Sequence, residues 1–471
     1  MSKQIPVQDV TPPAKGDTNN NDLYAKREKI YTRAFTGIFR RLRMVGGAAL
    51  FLLYFGTVWL NWSGRQAVWW DLPERKFYIF GATFWPQDFM LLSWLLIVCA
   101  FGLFFITVFA GRVWCGYTCP QSVWTWIYMW CEKVTEGDRN QRIKLDKAPM
   151  SGNKLLRKTA KHSLWLLIGL VTGLTFVGYF SPIRELIPEL LTGQADGWAY
   201  FWVSFFTLAT YGNAGWLREQ VCIYMCPYAR FQSVMFDKDT LIVSYDPRRG
   251  EKRGPRKKSL DYKAQGLGDC IDCTMCVQVC PTGIDIRDGL QIECIGCAAC
   301  IDACDSIMEK MNYPKGLISY TTEHNLNGQK THLARPRLIG YAIALVLMIS
   351  ALITAVVLRP LVGFDVSKDR VLYRENELGR IENVYSLKIM NKDQQDHTYI
   401  LGAKGLEGLT LEGRRELKVA AGDILNLPME LSIEPEKLPS TTNEIVFTIE
   451  SADDPSIHKE AKSRFIGPRT R

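Results

Sequence analysis

The absences in this chain narrow its chemistry first. No cysteine lies beyond Cys304, although the 471 residues hold 14 of them. A secreted disulfide scaffold would spread its cysteines through a small domain, so that class is excluded. The five histidines, His162, His324, His332, His397 and His458, are dispersed and form no ligand-spaced pair. Surface or structural roles are expected of each. No Walker sequence, Rossmann glycine run or serine-nucleophile elbow occurs, which argues against nucleotide-driven chemistry. No nucleic-acid motif accompanies the net charge of +9, so that class of partner is set aside. No apolar run precedes about Met44. Residues 1–43 therefore read as a basic cytoplasmic tail, and the first apolar run as a retained anchor rather than a cleavable signal.

What is present is segregated. Hydrophobic residues make up 47% of the chain, yet its mean hydropathy is close to zero, which implies separate apolar and polar blocks. Five stretches reach the roughly 20 residues that a bilayer core requires. They are 44–62, 89–110, 163–181, 197–216 and 338–358, the fourth diluted by Thr207, Thr210, Asn213 and three glycines. Phe77–Pro86 and Val123–Cys131 are apolar but short, and read as interfacial or re-entrant pieces. Many of the 14 tryptophans lie at the ends of apolar runs, as at membrane–water interfaces.

Lysine and arginine orient these spans. Nine precede the first span and ten lie in 111–162, against three in 63–88 and only Arg184 in 182–196. The chain start and 217–337 are thus expected in the cytoplasm, and 359–471 outside. A basic stretch, Arg248, Arg249, Lys252, Arg253, Arg256, Lys257 and Lys258, reads as a solvated linker that favours anionic lipid heads. In the tail, Tyr385, Leu387 and Ile389 alternate with Ser386, Lys388 and Met390. Ile445, Phe447 and Ile449 alternate with Val446, Thr448 and Glu450. Short alternating strands between turn signals predict a small β-sandwich.

The cysteines carry the chemistry. Cys270, Cys273, Cys276 and Cys280, followed by Pro281, match the C-x2-C-x2-C-x3-C-P run of bacterial ferredoxins. Cys294, Cys297, Cys300 and Cys304 repeat the spacing, with Asp305 in place of the proline. Three cysteines of a run surround one [4Fe–4S] cube, and the fourth serves the other. One cluster is expected on Cys270, Cys273, Cys276 and Cys304, the second on Cys294, Cys297, Cys300 and Cys280. Zinc is the alternative, but it usually takes two C-x2-C knuckles and four ligands in all.

Two further pairs, Cys115 with Cys119 and Cys222 with Cys226, both read C-x-Y-x-C-P, each below an arginine, Arg112 or Arg218. In a helix, i and i+4 share a face, so each pair can present two thiolates before proline ends or kinks the helix. Two such ends side by side would gather four thiolates at the membrane surface. Soft thiolates favour Cu(I), zinc or iron–sulfur. Packing as small apolar side chains and a dithiol–disulfide shuttle are the alternatives. Cys99 reads as packing, and Cys131 is little better placed as a ligand. Met129 and Met225 flank the thiol motifs and offer thioether sulfur, though packing is their commoner use.

Together these features resemble the cytochrome c oxidase accessory protein family CcoG, also called FixG or RdxA. The stretch from Ile381 to Lys392, IENVYSLKIMNK, resembles the start of that family's tail domain. The expected fold is multi-domain. A four-span membrane domain occupies 44–236, a linker and 2[4Fe–4S] ferredoxin domain 237–337, and a fifth span 338–358. An immunoglobulin-like periplasmic domain occupies 359–471.

The resemblance implies a bacterial inner-membrane cupric reductase, turning Cu(II) into Cu(I) in support of cbb3-type oxidase assembly. It implies oxidase assembly factors or copper carriers as partners, with the four C-x3-C-P thiols handling copper. The electron donor stays open, and a homo-oligomer is compatible. Two other readings are a quinol–ferredoxin type membrane electron-transfer subunit and a non-catalytic oxidase assembly scaffold.

Overall fold

The structure, a computed structural model, describes residues 29–258 and 261–468. The basic residues Lys3, Lys15, Lys26 and Arg27 lie outside the described residues. Among those described, four helical runs are long and apolar enough to cross a membrane: Ile38–Trp59, Pro86–Ala110, Gly152–Gly178 and Pro336–Val357. They contain helices α1 (Ile38–Gly56), α2 (Phe89–Ala110) and α6 (Gly152–Gly178), and the last helix, Pro336–Val357. The last helix has no buried residue and lies against α2. Apolar side chains facing outward all round are what a lipid-bathed helix requires.

Between α2 and α6 run α3 (Val113–Tyr117), α4 (Pro120–Glu136) and α5 (Arg139–Lys147). After α6 come α7 (Ile183–Thr192), α8 (Gly197–Thr210) and α9 (Pro227–Met235). Helix α8 packs closely on α6 because small residues let the two backbones approach. A Cβ on Gly169 would lie 2.9 Å from the Thr207 carbonyl, and one on Gly173 2.8 Å from that of Val203.

One local expectation changes, and two short apolar stretches take definite shape. The stretch 197–216 is not one regular span: α8 ends at Thr210 and widens into a π-helical segment, Tyr211–Leu217. Gly212, Asn213 and Gly215 are poor α-helix residues, and Gly215 lies where a Cβ would meet the Trp165 ring at 2.9 Å. Phe77–Pro86, read as an interfacial or re-entrant piece, is largely β-strand. Its strands Lys76–Ile79 and Ala82–Phe84 join Val68–Asp71 in a three-stranded antiparallel sheet. Val123–Cys131 lies inside α4, whose Tyr128, Cys131, Glu132 and Glu136 are buried while Trp130 and Val134 are exposed.

Residues 362–466 form the β-sandwich. One sheet has the order 410–412, 424–433, 381–391, 362–368, and strand 374–375 also pairs with 381–391. The other runs 416–419, 397–404, 442–451, 458–466. The alternation read from the sequence sends Tyr385, Leu387, Ile389, Ile445, Phe447 and Ile449 into one core. The sandwich meets the segment between α1 and α2: Lys392 pairs with Asp88 at 2.8 Å, and Arg359 donates to the Thr83 carbonyl at 3.1 Å.

Phe447 is fully buried and packs edge-on against Tyr385, with ring centroids 5.0 Å apart. Phe447→Ala is expected to destabilise the sandwich by about 3–5 kcal/mol. Thermal unfolding followed by far-UV circular dichroism at the β-sheet band should show lost stability, while visible absorbance from the iron–sulfur domain stays unchanged; tryptophan fluorescence would not report it, since no tryptophan lies beyond Trp216.

Candidate metal centre

The two cysteine runs fold into matching loops. In the first, Asp272 and Thr274 have φ of 54° and 54°; in the second, Gly296 and Ala298, at the same two steps of the run, have 64° and 56°. Positive φ costs energy for a side-chain-bearing residue, so its recurrence at equivalent places marks a shape that both loops must hold. Short helix Met275–Gln278 follows the first two cysteines of its run, and helix Ala299–Met311 those of the second. Strands Ile242–Tyr245 and Ile318–Thr321 pair antiparallel and close the domain at its two ends.

Two small cradles result. One is lined by Cys270, Cys273, Cys276 and Cys304, with Met308, Leu317 and Ile318. The other is lined by Cys280, Cys294, Cys297 and Cys300, with Ile286 and Ile295, and Cys276 reaches its edge. This is the division expected from sequence, with each fourth cysteine crossing over. Four sulfur donors in an apolar lining fit a [4Fe–4S] cube. Burial pushes the Cys276, Cys294 and Cys304 thiols up to about 12, so loading such a site with metal displaces protons. The absent second proline also has a reason. Asp305 lies inside helix Ala299–Met311, where proline would break a hydrogen bond, and its carboxylate accepts from the Gly316 N–H at 2.9 Å.

The C-x3-C-P motifs are built differently from the helical pair expected. Helix α3 stops at Tyr117, and Cys119 is the extended residue before α4. A π-helical turn, Val221–Met225, likewise precedes Cys226 and α9. Pro120 and Pro227 occupy first helical positions, so each proline starts a helix instead of ending one. Proline fits there because that N–H has no intrahelical partner. The four thiols still come together. Burial pushes Cys222 up to about 12, and the nearby thiols of Cys119, Cys115 and Cys226 add to that shift. Cys115 is pushed up to about 11, chiefly by burial and then by Cys119, while the Arg112 guanidinium opposes the rise.

Among the described residues, the only three His, Cys, Asp or Glu side chains with donor atoms within 4.8 Å of one another are Asp239, His324 and His332. No three of the four C-x3-C-P thiols are that close, so they form a loose quartet, not a tetrahedral cage. Cys131 packs with Tyr128 and Trp165, Cys99 faces outward on α2, Met129 is buried and Met225 exposed.

Two thiols of the quartet sit against the second cradle. Cys115 and Cys222 pack on the apolar cluster containing Ile295 and Cys297. Gly116 makes this possible: a Cβ there would lie 2.8 Å from Cys297 Cα and 2.9 Å from the Gly296 carbonyl. Arg112 donates to the carbonyls of Cys294 at 3.2 Å and Ala229 at 2.6 Å, and to that of Ile292. Cys115 Sγ donates to Gln232 Oε1 at 3.4 Å. Sequence reasoning noted Arg112 only as a repeated feature and missed Gly116 and Gln232. A glycine directly after a motif cysteine was the available signal. The basic stretch is also more than a solvated linker. Arg249 binds Asp269 and the Lys315 carbonyl, and Arg256 donates to the Gly268 carbonyl and stacks on Tyr262.

Residues 217–323 match the family described as "4Fe-4S dicluster domain", and 352–468 match "IG-like fold at C-terminal of FixG". Protein RdxB of Cereibacter sphaeroides is 40% identical over 414 residues, covering 84% of this chain and 87% of that protein. Nitrogen fixation protein FixG of Rhizobium meliloti is 35% identical over 454 residues, covering 88% and 86%. The chain belongs to the FixG, RdxA and RdxB family. A solved FixG-related protein from Vibrio parahaemolyticus matches 22% of this chain and 95% of its own, at 37% identity and a TM-score of 0.21. As a FixG-family member the chain is an iron–sulfur protein of oxidoreductase type, with an immunoglobulin-like C-terminal domain and helices apolar enough to cross a membrane.

Gly116→Val should force the Cys294–Cys297 loop away from α3. The expected outcome is loss of about half the iron per chain, measured on purified protein, because the first cradle lies away from the contact.

Proposed function

We propose that this chain is a cupric reductase of the bacterial inner membrane, making Cu(I) in support of cbb3-type oxidase assembly. The observation that carries the reading is the seat of Cys115 and Cys222 on the cluster of Ile295 and Cys297, with Gly116 letting the first thiol motif lie directly on the Gly296–Cys297 backbone. Two [4Fe–4S] clusters, held by Cys270, Cys273, Cys276 and Cys304 and by Cys280, Cys294, Cys297 and Cys300, would supply one-electron storage when bound. The other residues handle the substrate. Cys115, Cys119, Cys222 and Cys226 offer soft donors that favour Cu(I) over Cu(II). The one-electron step, Cu(II) + e⁻ → Cu(I), is therefore more favourable there than in water. Burial favours the protonated thiols of Cys115 and Cys222, so a bound soft metal would displace their protons, and the Arg112 charge offsets part of that burial effect.

The proposed sidedness places the iron–sulfur domain and the quartet in the cytoplasm and the sandwich in the periplasm. The lysine and arginine asymmetry of the connecting segments supports it. So does the packing of the sandwich on the segment between α1 and α2, while Thr240, preceding the strand Ile242–Tyr245, bonds to Val108 at the other end of α2. In this reading the product Cu(I) passes to copper carriers or oxidase assembly factors. Replacing Cys115 and Cys119 together by serine should abolish most cupric reduction with iron content intact. An unchanged rate would remove the quartet from the reaction.

One observation favours a membrane quinol as the electron source. A cavity of about 420 Å³ opens between α1 and α4, lined by Phe35, Phe51, Trp126 and Trp130 among others. Arg43 lines it, is only 6% exposed, and stacks on Trp126 at 3.9 Å. Its two terminal nitrogens meet no hydrogen-bond partner among the described residues. A buried donor of this kind suits a quinone carbonyl oxygen. Phe35 belongs to the same packed cluster as Cys297. Arg43→Leu should slow reduction of the iron–sulfur domain by a quinol analogue while leaving reduction by dithionite unchanged.

A further inference from the structure

Histidines that are eight residues apart in sequence meet an aspartate from another segment beneath α2. The turn after α9 is fixed there: Leu241 N–H donates to the Phe109 carbonyl at 3.1 Å and Thr240 Oγ1 to that of Val108 at 2.9 Å. Arg335, just before the last helix, donates to Asp237 and to the Val108 carbonyl. Asp239 is held at the tip of this turn. From the other side, Thr322 caps the short helix Glu323–Leu326, and His324 N–H bonds to the Lys238 carbonyl at 3.2 Å. After the Gly328 turn, the Thr322 and Thr331 hydroxyls meet at 2.7 Å, and His332 N–H donates to Asp239 Oδ1 at 2.9 Å.

Three donors converge as a result. His324 Nδ1 lies 2.7 Å from Asp239 Oδ1 and His332 Nδ1 3.7 Å from it. The two rings stand at 89° with centroids 5.7 Å apart. Donors each about 2.0–2.1 Å from one metal ion lie roughly 2.8–3.4 Å apart at cis or tetrahedral angles. The two separations from Asp239 Oδ1 are within a few tenths of an ångström of that range, and all three donors lie within 4.8 Å of one another. Asp239 and His324 are mostly covered, whereas His332 is 68% exposed, leaving one side open to solvent. Three protein ligands with an open position are the pattern of an exchangeable site, not a closed structural one. The charged groups around the trio are otherwise paired, Lys238 with Glu323 and Asp237 with Arg335.

We infer that Asp239, His324 and His332 form a binding site for a divalent transition-metal cation. Two imidazoles and a carboxylate suit the borderline divalent ions, and Cu(II) heads their affinity order. The donor types contrast with the thiol quartet. Nitrogen and oxygen hold the oxidised ion, sulfur the reduced one. Both sites hang from the end of α2, since the Asp239 turn bonds to Val108 and Phe109 and α3, carrying Cys115, starts at Val113. That this site takes up Cu(II) ahead of reduction rests on the cupric-reductase reading; the metal binding does not.

The test uses the full-length protein without a histidine tag, in detergent, with its clusters oxidised and no reductant. Added Cu(II) should give one EPR signal per chain with coupling to two imidazole nitrogens. His332→Gln, a change at an exposed ring, and His324→Gln should each weaken Cu(II) binding at least tenfold, with iron content unchanged. The Cys115→Ser, Cys119→Ser variant should keep the signal. A Cu(II) signal without nitrogen coupling, or one unchanged in His332→Gln, would show Asp239 and His324 to be only a loop fastening. Nitrogen-coupled binding without cupric reduction would instead retain the site and overturn the reductase reading.

Discussion

The close approach of α3 to the second cysteine loop holds the functional parts in register. Gly116 lets the backbone of the first C-x3-C-P motif lie on the backbone of Gly296 and Cys297. Arg112, one turn earlier, binds carbonyls on that loop and on α9. Tyr320 completes the joint: its hydroxyl donates to the Gly296 carbonyl at 2.6 Å and lies 3.2 Å from the Tyr117 hydroxyl. One contact therefore ties together a membrane helix end, both thiol motifs and a cluster cradle. A side chain at position 116 would push them apart, and interiors this dense have no slack to absorb it.

Buried ion pairs organise the second half of the site. Glu132 in α4 meets Arg142 of α5 and Arg218, which precedes the second thiol motif, each at 2.5 Å. Burial alone would raise the Glu132 pKa, but Arg218 and Arg142 hold it below the ordinary carboxylate value. Removing one partner of such a pair strands a charge away from water, at a cost of about 3–5 kcal/mol. Arg218 thus sets the place from which the chain turns toward Cys222. Glu136, paired with Lys158 at 2.9 Å and Lys161 at 3.1 Å, fastens the same helix to α6. Several basic residues of 111–162, Arg142, Lys158 and Lys161 among them, build this polar layer beside the apolar helices.

The two parts of the chain with chemistry differ in how openly the sequence shows them. The eight cysteines lie in two tight runs, and the ferredoxin spacing implies the grouping seen in the two cradles, three from one run with the fourth of the other. The sandwich is equally open, because strand alternation is a two-residue rule. The C-x3-C-P pairs were visible as a repeat, but their shape was not. Local rules suggest one helix carrying both thiols, whereas the helix breaks and proline begins the next one. The sheet at 68–84 was hidden because its apolar residues pair across strands rather than along a helix.

Sequence by itself determined what depends on near neighbours: the apolar helices, the cysteine spacing, the strand alternation of the tail and the family to which they belong. Tertiary structure alone decided which distant groups meet. Gly116 faces Cys297 across 181 positions of chain, and Asp239 meets His324 and His332 only after the segment between them has folded into the cysteine domain. Such meetings follow from close packing and hydrogen bonding between separate segments, and nothing in either segment alone records its partner.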